Sequence, residues 1–291
     1  MKVMTGREKK YLAVILAAAA LAFLPEPKLQ ALAGWETDGE GNWPYREEDG
    51  SLLHGWVRDG GRWYYLDENG LMLSNELRHI DGISYRFFRD GRLAASTYVG
   101  LSYFNPDGLR DQAHDIRVIG KRSPENWEKD EITDSVSFVP ACWMDRLTEK
   151  GWELMFYTDR DFLAAPDTDL GVYYVGHELD TAYRKLKFTD PSELTRGIGE
   201  FIGYELGLYR PGDERMAALR ADQVAVETLF PIPDFYGEDD PFYFGVLCQL
   251  YWDSGTTEEL KREAPGAWEL LGELLGEKTG SGGISDEEET R

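Results

Sequence analysis

A Gly-Trp pair that recurs along the first third of the chain is the feature that most restricts its fold. Gly34-Trp35 returns as Gly55-Trp56, and an aromatic run and a turn ending in glycine follow each pair. Recurrence at a spacing of about 21 residues is the signature of a repeat architecture. Short aromatic segments separated by Asp-Gly or Asn-Gly turns predict successive β-hairpins. A single hairpin is marginal in water, so we expect the hairpins to stack as a solenoid-like array over residues 34–110.

The units of this array are unequal. The second unit is the fullest, with the aromatic run Trp63-Tyr64-Tyr65-Leu66 and a turn that ends at Gly70. The third unit has Ser84 where the second has Trp63, and the third and fourth units contain no tryptophan. The sequence therefore predicts one or two complete aromatic sites.

The second unit, GWVRDGGRWYYLDENG, resembles the cell-wall-binding (choline-binding-type) repeats of exported Gram-positive proteins. In that family, aromatic side chains of neighbouring repeats form cages for quaternary ammonium groups. Each cation–π contact contributes roughly 0.5–2 kcal/mol. The resemblance implies a cell-wall polymer or a choline-like cation as the partner. It assigns the cage to Trp35, Trp43, Trp56, Trp63 and Tyr64; the alternative is that these rings only hold the hairpins together.

Residues 1–33 have the parts of a secretory signal peptide. A basic stretch that includes Lys9 and Lys10 precedes an apolar run, residues 11–24, which is too short to span a bilayer. Ala31-Leu32-Ala33 is an A-x-A cleavage pattern. We expect a secreted protein at the cell wall or cell surface, without stable membrane insertion after cleavage; the alternative is an uncleaved anchor.

The charge of the chain excludes some partners. The formal net charge is -23, and removing residues 1–33 takes away five basic and two acidic residues. The mature charge is therefore about -26. A chain this acidic is a poor binder of nucleic acid or anionic membranes. Cys142 and Cys248 could pair outside the cell or remain as two buried thiols, and two cysteines are too few for a thiolate zinc site.

The remaining chain predicts a second, mainly helical domain. Residues 111–136 are polar and are interpreted as a linker, with the irregular start of the next domain as the alternative. Residues 137–276 are interpreted as the domain and 277–291 as a disordered acidic tail. Strands are expected at 152–158 and from 171 to near 183. Helices are expected at 140–150, 190–209, 213–229, 242–252 and 265–276. Because strands come early and helices later, the fold class is α+β.

The helix expected at 190–209 carries an unusual pattern. Asp190 and Pro191 suit a helix start, and Glu193 completes a capping-box pattern. Gly199 and Gly203 lie four residues apart, with Glu200 beside the first. This layout is what a zinc-protease H-E-x-x-H helix becomes when both histidines are replaced by glycine.

The second domain resembles the catalytic domain of the anthrax-lethal-factor-like zinc metallopeptidases (zincins). The likeness is clearest in PFYFGVLCQLYWDSGTTEELKREAPGAWELL, and GIGEFIGYEL falls where that family has its H-E-F-G-H helix. The resemblance puts Glu200 at the general base and Tyr236 near the catalytic tyrosine. The lost zinc ligands correspond to Gly199, Gly203 and Phe242, and a further lost glutamate corresponds to Val246.

An active zincin needs a histidine pair one helical turn apart and an acidic ligand. None of the four histidines of this chain is spaced in that way. We therefore expect a pseudo-metallopeptidase, without zinc or another cofactor, that binds an unidentified peptide or protein. One alternative is an active zinc peptidase with an atypical ligand set, namely His177, Glu200 and Asp239 or Asp240. Another is a structural scaffold in which only the repeats bind.

The residues of the peptidase assignment also have simpler structural explanations. His177 is expected at the surface or at a strand edge. Glu200 is either the vestigial base or a solvated residue. Gly199 and Gly203 are either lost ligand positions or sites of close helix packing, since glycine costs ~1 kcal/mol in a helix and two suggest a need for space.

Overall fold

The computed structural model describes residues 34–37, 43–47, 49–159, 164–167, 171–174, 176–232 and 238–276. The expected signal peptide, the acidic tail and Tyr236 lie outside these residues. The chain divides into two compact units, one of residues up to 75 together with 89–92, the other of 76–88 together with 93 onwards. This division differs from the boundary expected near residue 110, because the third and fourth hairpins belong to the second unit.

The first unit contains two of the expected hairpins. Strand β1 (Gly34–Trp35) pairs antiparallel with β2 (Tyr45–Arg46), and β3 (Gly55–Asp59) with β4 (Arg62–Leu66). Gly60 and Gly61 connect β3 to β4, both with positive φ. Two positive φ angles in a two-residue loop match the right-handed twist of the flanking strands, and glycine adopts them without strain.

The second unit begins with two further hairpins. Strand β5 (Leu77–Ile80) pairs with β6 (Ile83–Arg86), and β7 (Thr97–Val99) with β8 (Ser102–Phe104). Tyr98 and Tyr103 are buried in the same core cluster as the helices of this unit. The Tyr103 hydroxyl donates a 3.2 Å hydrogen bond to Asp145 Oδ1. The last hairpin is therefore part of the second unit's core.

A four-stranded mixed sheet follows, in the order β13-β14-β10-β9. Its strands are β9 (Arg117–Ile119), β10 (Glu153–Tyr157), β13 (His177–Asp180) and β14 (Lys185–Phe188). β10 runs parallel to both β14 and β9, whereas β13 is the antiparallel edge strand. A separate hairpin joins β11 (Ala164–Asp167) to β12 (Gly171–Tyr174).

The interpretation of residues 111–136 as a linker is wrong. They contain a short 3₁₀ helix (Gln112–His114), strand β9 and helix α1 (Asn126–Val136). This segment is ordered because α1 places Ile132 and Val136 inside the core. α1 also starts with a capping box, in which the buried Glu128 accepts from the backbone N–H of Glu125.

Helices complete the second unit. After α1 come α2 (Ala141–Glu149), α3 (Leu194–Glu205), α4 (Glu214–Arg220), α5 (Gln223–Leu229), α6 (Asp240–Trp252), α7 (Thr257–Glu263) and α8 (Pro265–Leu274). A 3₁₀ turn (Pro191–Glu193) precedes α3, and Asp190 caps it by accepting from Ser192 N–H. The helix expected at 190–209 thus ends earlier, and the single helix expected at 213–229 is two, α4 and α5.

The result is a mixed α/β chain, with β-hairpins first and helices concentrated in the C-terminal part. α3 packs most extensively against α6, and the side chains at their contact, including Phe201 and Phe244, are fully buried. Within the described ranges, no helix has the length and apolarity needed to cross a membrane.

Candidate cation-binding site

The first unit has a half-open cavity of about 470 Å³ with three aromatic rings in its wall. We call it the aromatic pocket; it is lined by Trp35, Trp43, Asp59, Tyr64, Met72, Ser74, Arg89 and Asp90. All of these residues belong to the first unit. They come from β1, β3 and β4, from the chain beside these strands, and from the returning segment 89–92.

Trp35 is the most firmly held ring of the aromatic pocket. It lies opposite Tyr45 in the β1–β2 register and meets that ring edge-on at a centroid distance of 5.1 Å. On its other side the Tyr64 ring lies at 5.0 Å. The indole Nε1 donates a 3.0 Å hydrogen bond to Asp59 Oδ2. These contacts fix the ring before any ligand arrives, which lowers the entropic cost of binding.

Trp43 and Tyr64 add two rings of different character. Trp43 lies two residues before the start of β2 and is 46% exposed, so much of its ring remains open to solvent. Burial raises the pKa of the Tyr64 phenol; Arg62 opposes this effect, and Asp90 and Asp59 add to it. Tyr64 therefore stays a neutral phenol at physiological pH. The faces of such rings carry the negative side of the aromatic quadrupole, which attracts cations.

Two carboxylates lie at the pocket wall, in different environments. Asp90 is neutralised by Arg92, whose Nε lies 2.6 Å from Asp90 Oδ2. Asp59 accepts from Trp35 and, among the residues that the structure describes, forms no ion pair with a basic side chain. The pocket thus combines aromatic faces with the carboxylate of Asp59, and Arg89 is the basic side chain in the same lining. Such a set of groups suits a ligand with a diffuse positive charge, such as a quaternary ammonium group.

The other two expected cage residues form a separate pair. Trp56 on β3 and Trp63 on β4 meet edge-on at 6.3 Å, and Trp56 also contacts Tyr65 at 5.0 Å. The Arg58 guanidinium carbon lies 5.8 Å from the centroid of Trp63. The Trp63 ring is therefore already close to a cation of the protein, the Arg58 guanidinium.

The structure thus brings Trp35, Trp43 and Tyr64 together at the aromatic pocket and leaves Trp56 and Trp63 outside it. Sequence reasoning missed Asp59 and Asp90. Both are acidic residues at turns beside aromatic strands, Asp59 before Gly60 and Asp90 before Gly91. That adjacency is the signal that would have identified them.

A buried ionic group occupies the second unit. We call it the histidine cluster: His177, Glu193, Arg196 and Glu200. His177 Nε2 lies 2.7 Å from Glu200 Oε1, and its Nδ1 lies 3.2 Å from Glu193 Oε2. Arg196 forms an ion pair with Glu193. His177 lies on the edge strand β13, one of the two positions expected for it, but it is only 4% exposed, so the expectation of a surface position is wrong.

The cluster holds an imidazolium cation between two carboxylates. Burial alone would lower the pKa of His177, but the charge of Glu200 and the hydrogen bonds to Glu193 and Glu200 raise it to about 9. Burial would raise the pKa of Glu193, but the hydrogen bond from His177 and the charge of Arg196 lower it. With both nitrogens protonated, His177 donates to both carboxylates.

Glu200 is buried at 8% exposure, so the interpretation of a solvated residue is wrong. Its physical role in the structure is to accept from His177, while the Tyr209 hydroxyl donates to its backbone oxygen at 2.9 Å. Arg196 lies with its guanidinium carbon 4.9 Å from the Phe242 centroid and 5.4 Å from that of Phe230. The cluster ties β13 to α3, to Phe242 of α6 and to Phe230 at the end of α5.

Gly199 and Gly203 lie where α3 is packed most tightly. A Cβ on Gly199 would lie 2.8 Å from Cys248 Cβ and 3.0 Å from the Cα of Gly245 on α6. A Cβ on Gly203 would lie 2.1 Å from the Tyr209 hydroxyl oxygen. The distances of 2.8 and 2.1 Å are shorter than real Cβ contacts, so a side chain at either position would require its neighbours to move. Close packing explains both glycines.

The other residues of the peptidase assignment are dispersed. Val246 is buried in α6, and Phe242 contacts Arg196. Asp239 caps α6 by accepting from Phe242 N–H at 3.0 Å, and Asp240 pairs with Arg220 at 2.9 Å. In the described part of the chain, no group of three or more His, Cys, Asp or Glu side chains is arranged to hold a metal ion. The atypical ligand set is therefore not assembled there.

The two cysteines are free. Cys142 is exposed at the start of α2, whereas Cys248 is buried in α6, where burial raises the pKa of its thiol well above the usual value. The sequence offered a disulfide or two buried thiols. The cysteines are unpaired, so the disulfide is not formed, but only Cys248 is buried.

Comparison with known families identifies part of the first unit. Residues 54–72 match the family model of the putative cell wall binding repeat. They include β3, β4 and the pocket residues Asp59, Tyr64 and Met72. No curated protein matches the chain.

Several solved structures are similar to part of the chain. The choline binding domain of a Streptococcus pneumoniae protein is 32% identical, with 29% of this chain and 100% of that chain covered and a TM-score of 0.27. Choline binding protein F of the same organism is 33% identical over 28% of this chain and 27% of that one, with a TM-score of 0.26. The endolysin of phage Cp-1, whose structure was solved with choline, is 24% identical over 33% of this chain and 29% of that chain, with a TM-score of 0.26.

The chain thus spans under a third of the length of the last two. By the family match, residues 54–72 form a cell wall binding repeat of the choline-binding type.

Proposed function

We propose that this protein is exported and binds a quaternary ammonium group of a cell-wall polymer through the aromatic pocket. The observation that carries this proposal is the convergence of Trp35, Trp43 and Tyr64 on one cavity beside the carboxylate of Asp59. The match of residues 54–72 to the cell wall binding repeat supports the same ligand class. Attachment to the wall through this pocket would hold the protein at the cell surface.

The expected affinity follows from the rings. Three cation–π contacts of roughly 0.5–2 kcal/mol each give about 2–6 kcal/mol before the cost of association. A net binding free energy of about 4 kcal/mol would correspond to a Kd of about 1 mM, and the cost of association leaves the rings little more than that to contribute. Binding to one pocket is therefore weak, and a polymer that carries many ammonium groups would also rebind after each dissociation.

The test is a titration of the protein with choline, followed by tryptophan fluorescence and by calorimetry. A neutral isostere, in which carbon replaces the quaternary nitrogen, separates cation–π attraction from apolar burial. We expect choline to bind at least tenfold more tightly than the isostere. Equal affinities would overturn the proposal, because the rings would then only be burying apolar surface.

Trp43→Ala is the variant of choice for this titration. The side chain of Trp43 is largely exposed, so its removal alters the aromatic pocket with little effect on folding. We expect the Kd for choline to rise at least fivefold. Trp127→Ala is the matched control, since Trp127 is 54% exposed and belongs to the second unit. An equal loss in the control would assign the effect to general destabilisation.

Export is tested separately from binding. We propose that residues 1–33 are removed, and the expected mature N-terminus is Gly34. Mass measurement of the protein recovered from the cell wall decides this. A mass that includes residues 1–33 would instead indicate the uncleaved anchor.

We also propose that the second unit is a metallopeptidase-like domain that binds a peptide or protein without cleaving it. Its support is the sequence resemblance of residues 139–275, which puts Gly199 and Gly203 at that family's ligand positions. The tight packing of both glycines against α6 and Tyr209 favours the scaffold alternative, because the described residues at that face of α3 leave no room for a side chain at either glycine.

Elemental analysis of protein purified without chelator tests both interpretations of the second unit. Less than about a tenth of a zinc per chain supports a domain without metal. Partner capture by the second unit then decides between binding and scaffolding. Near one zinc per chain, with peptide cleavage abolished by Glu200→Gln, would overturn both and restore the active peptidase.

A further inference from the structure

In the part of the chain that the structure describes, one face of helix α1 is open to solvent. Three exposed acidic residues occupy its middle, and an aromatic ring lies at each end: Trp127 at 54% exposure and Phe138, in the turn after the helix, at 55%. The spacing of 127, 131, 134 and 138 is i, i+4, i+7 and i+11, which places these positions along one side of a helix. We call this surface the α1 face; it consists of Trp127, Asp130, Glu131, Asp134 and Phe138.

The opposite face of α1 is anchored to the second unit. Ile132 is fully buried in the core. The Thr133 hydroxyl oxygen accepts a 2.7 Å hydrogen bond from the backbone N–H of Gly100, and the Ser135 hydroxyl donates to the carbonyl oxygen of Pro191 at 3.0 Å. The helix is therefore held in place before any partner arrives, so docking on its open face costs little conformational entropy.

The three carboxylates of the α1 face are not neutralised from within the described residues. None of them forms an ion pair or a side-chain hydrogen bond there. The one lysine of the helix, Lys129, lies on the anchored side, where its Cβ is 3.3 Å from the position of a Cβ added to Gly100. Arg122, which precedes the helix, is paired with the buried Glu128 at 2.7 Å. The α1 face thus presents negative charge between two exposed rings.

The charge of the α1 face decides what kind of partner fits it. A second copy of this chain in a two-fold contact would bring the same three carboxylates together, and nucleic acid or an anionic membrane would also be repelled. A complementary partner has basic side chains opposite the carboxylates and apolar side chains opposite the rings. A basic amphipathic helix combines both on one surface, and aromatic side chains such as those of Trp127 and Phe138 are enriched at protein interfaces.

We propose that the α1 face binds a basic amphipathic helix of another polypeptide, with Trp127 and Phe138 as apolar anchors and the carboxylates paired to its lysines or arginines. This rests on the proposal that the second unit binds a peptide or protein, and it goes further by assigning the surface and the chemistry of the partner. The α1 face shares no residue with the histidine cluster or with the glycines of α3. Because its ion pairs are exposed, the interaction weakens as the salt concentration rises.

The experiment measures the binding of a labelled leucine–lysine amphipathic peptide to the full chain by fluorescence anisotropy. A peptide of about 18 residues is long enough to span the α1 face. The same peptide with glutamate in place of lysine is the negative probe, and we expect only the leucine–lysine peptide to bind. Its Kd should rise about tenfold in the triple variant Asp130→Asn/Glu131→Gln/Asp134→Asn and about fivefold in Trp127→Ala. Far-UV circular dichroism checks that each variant is folded.

A second triple variant, Glu258→Gln/Glu259→Gln/Glu273→Gln, is the matched control. It removes three exposed carboxylates from α7 and α8 and changes the net charge by the same amount. We expect its Kd for the leucine–lysine peptide to stay within about twofold of the wild-type value, since charges outside the contact act only at long range.

The outcomes separate this proposal from the one on which it rests. Equal losses in the two triple variants, or binding that the first triple variant and Trp127→Ala leave unchanged, would overturn the assignment to the α1 face. No binding of the leucine–lysine peptide at low salt, or equal binding of its glutamate counterpart, would overturn the chemistry of the partner. The proposal that the second unit binds a peptide or protein fails only if partner capture by that unit fails as well.

Discussion

Replacing His177 by glutamine tests the electrostatic origin of the second unit's stability. Glutamine retains a hydrogen-bond donor of similar reach but cannot carry the positive charge. Glu200, at 8% exposure, would then keep its negative charge without a cation at 2.7 Å. Glu193 would still have Arg196. The substitution therefore isolates the charge of the imidazolium.

The size of the effect follows from the pKa of His177. The cluster raises it from 6.5 to about 9, and a displacement of this size corresponds to about 3 kcal/mol. Breaking a buried pair by removing one partner costs about 3–5 kcal/mol in general. We expect His177→Gln to lower the free energy of unfolding by about 3 kcal/mol at pH 6.

The pH dependence has a definite sign. Because the pKa of His177 is raised on folding, its contribution is fully present below pH 6.5 and is lost as the pH rises through about 9. The difference between wild type and His177→Gln should therefore shrink across this range. Taking the difference cancels groups common to both proteins, such as the tyrosines.

Urea unfolding, followed by the far-UV circular dichroism of the helices, measures both quantities. His114→Gln is the control, since His114 pairs with Asp111 at 2.7 Å while both side chains are 35% exposed. A partly exposed pair should cost no more than about 1 kcal/mol. A loss below about 1 kcal/mol for His177→Gln, or a difference that stays constant with pH, would refute the reasoning.

Three further substitutions have outcomes that packing and hydrogen bonding predict. Gly203→Ala should lower the unfolding free energy by about 1–3 kcal/mol, because its Cβ would overlap the Tyr209 hydroxyl; denaturant titration measures this, and a neutral result would contradict the packing argument. Glu128→Ala should lower the free energy of unfolding by about 1–3 kcal/mol, since it removes a buried carboxylate that caps α1. Thermal unfolding measures this as a fall in the midpoint temperature. Gly91→Ala should weaken choline binding, because φ is +83° and the Cβ would lie 2.2 Å from Met72 Sδ in the pocket wall; unchanged affinity would exclude that coupling.

Local patterns in the sequence were sufficient to predict much of the secondary structure. The hairpins of the first unit follow from Gly-Trp recurrence and from turn residues such as Gly60 and Gly61, which act within a few positions. The late helix at α6 follows from an apolar run bounded by Pro241 and Asp253. The sequence also pointed to three pocket residues, Trp35, Trp43 and Tyr64, because aromatic rings are the groups that attract a quaternary ammonium ion.

What escaped prediction depends on contacts between distant parts of the chain. His177 meets Glu200 only because β13 lies against α3, and no local pattern records that contact. Glu205 interrupts the apolar stripe of α3, and its partner is Arg146 on α2, at 3.1 Å. Arg89 joins the pocket after the chain has formed β5 and β6, which belong to the other unit.

The first unit is therefore built from two stretches of chain rather than one. Residues 76–88 leave it to form a hairpin of the second unit, and residues 89–92 return. No single cut in the polypeptide separates a complete pocket from a complete second unit: truncation after residue 75 removes Arg89 and Asp90, and truncation after residue 110 removes the buried Tyr98 and Tyr103 from the remainder. Gene fusion or recombination at one breakpoint cannot exchange the complete first unit without dividing the second, so we expect the two units to be inherited together.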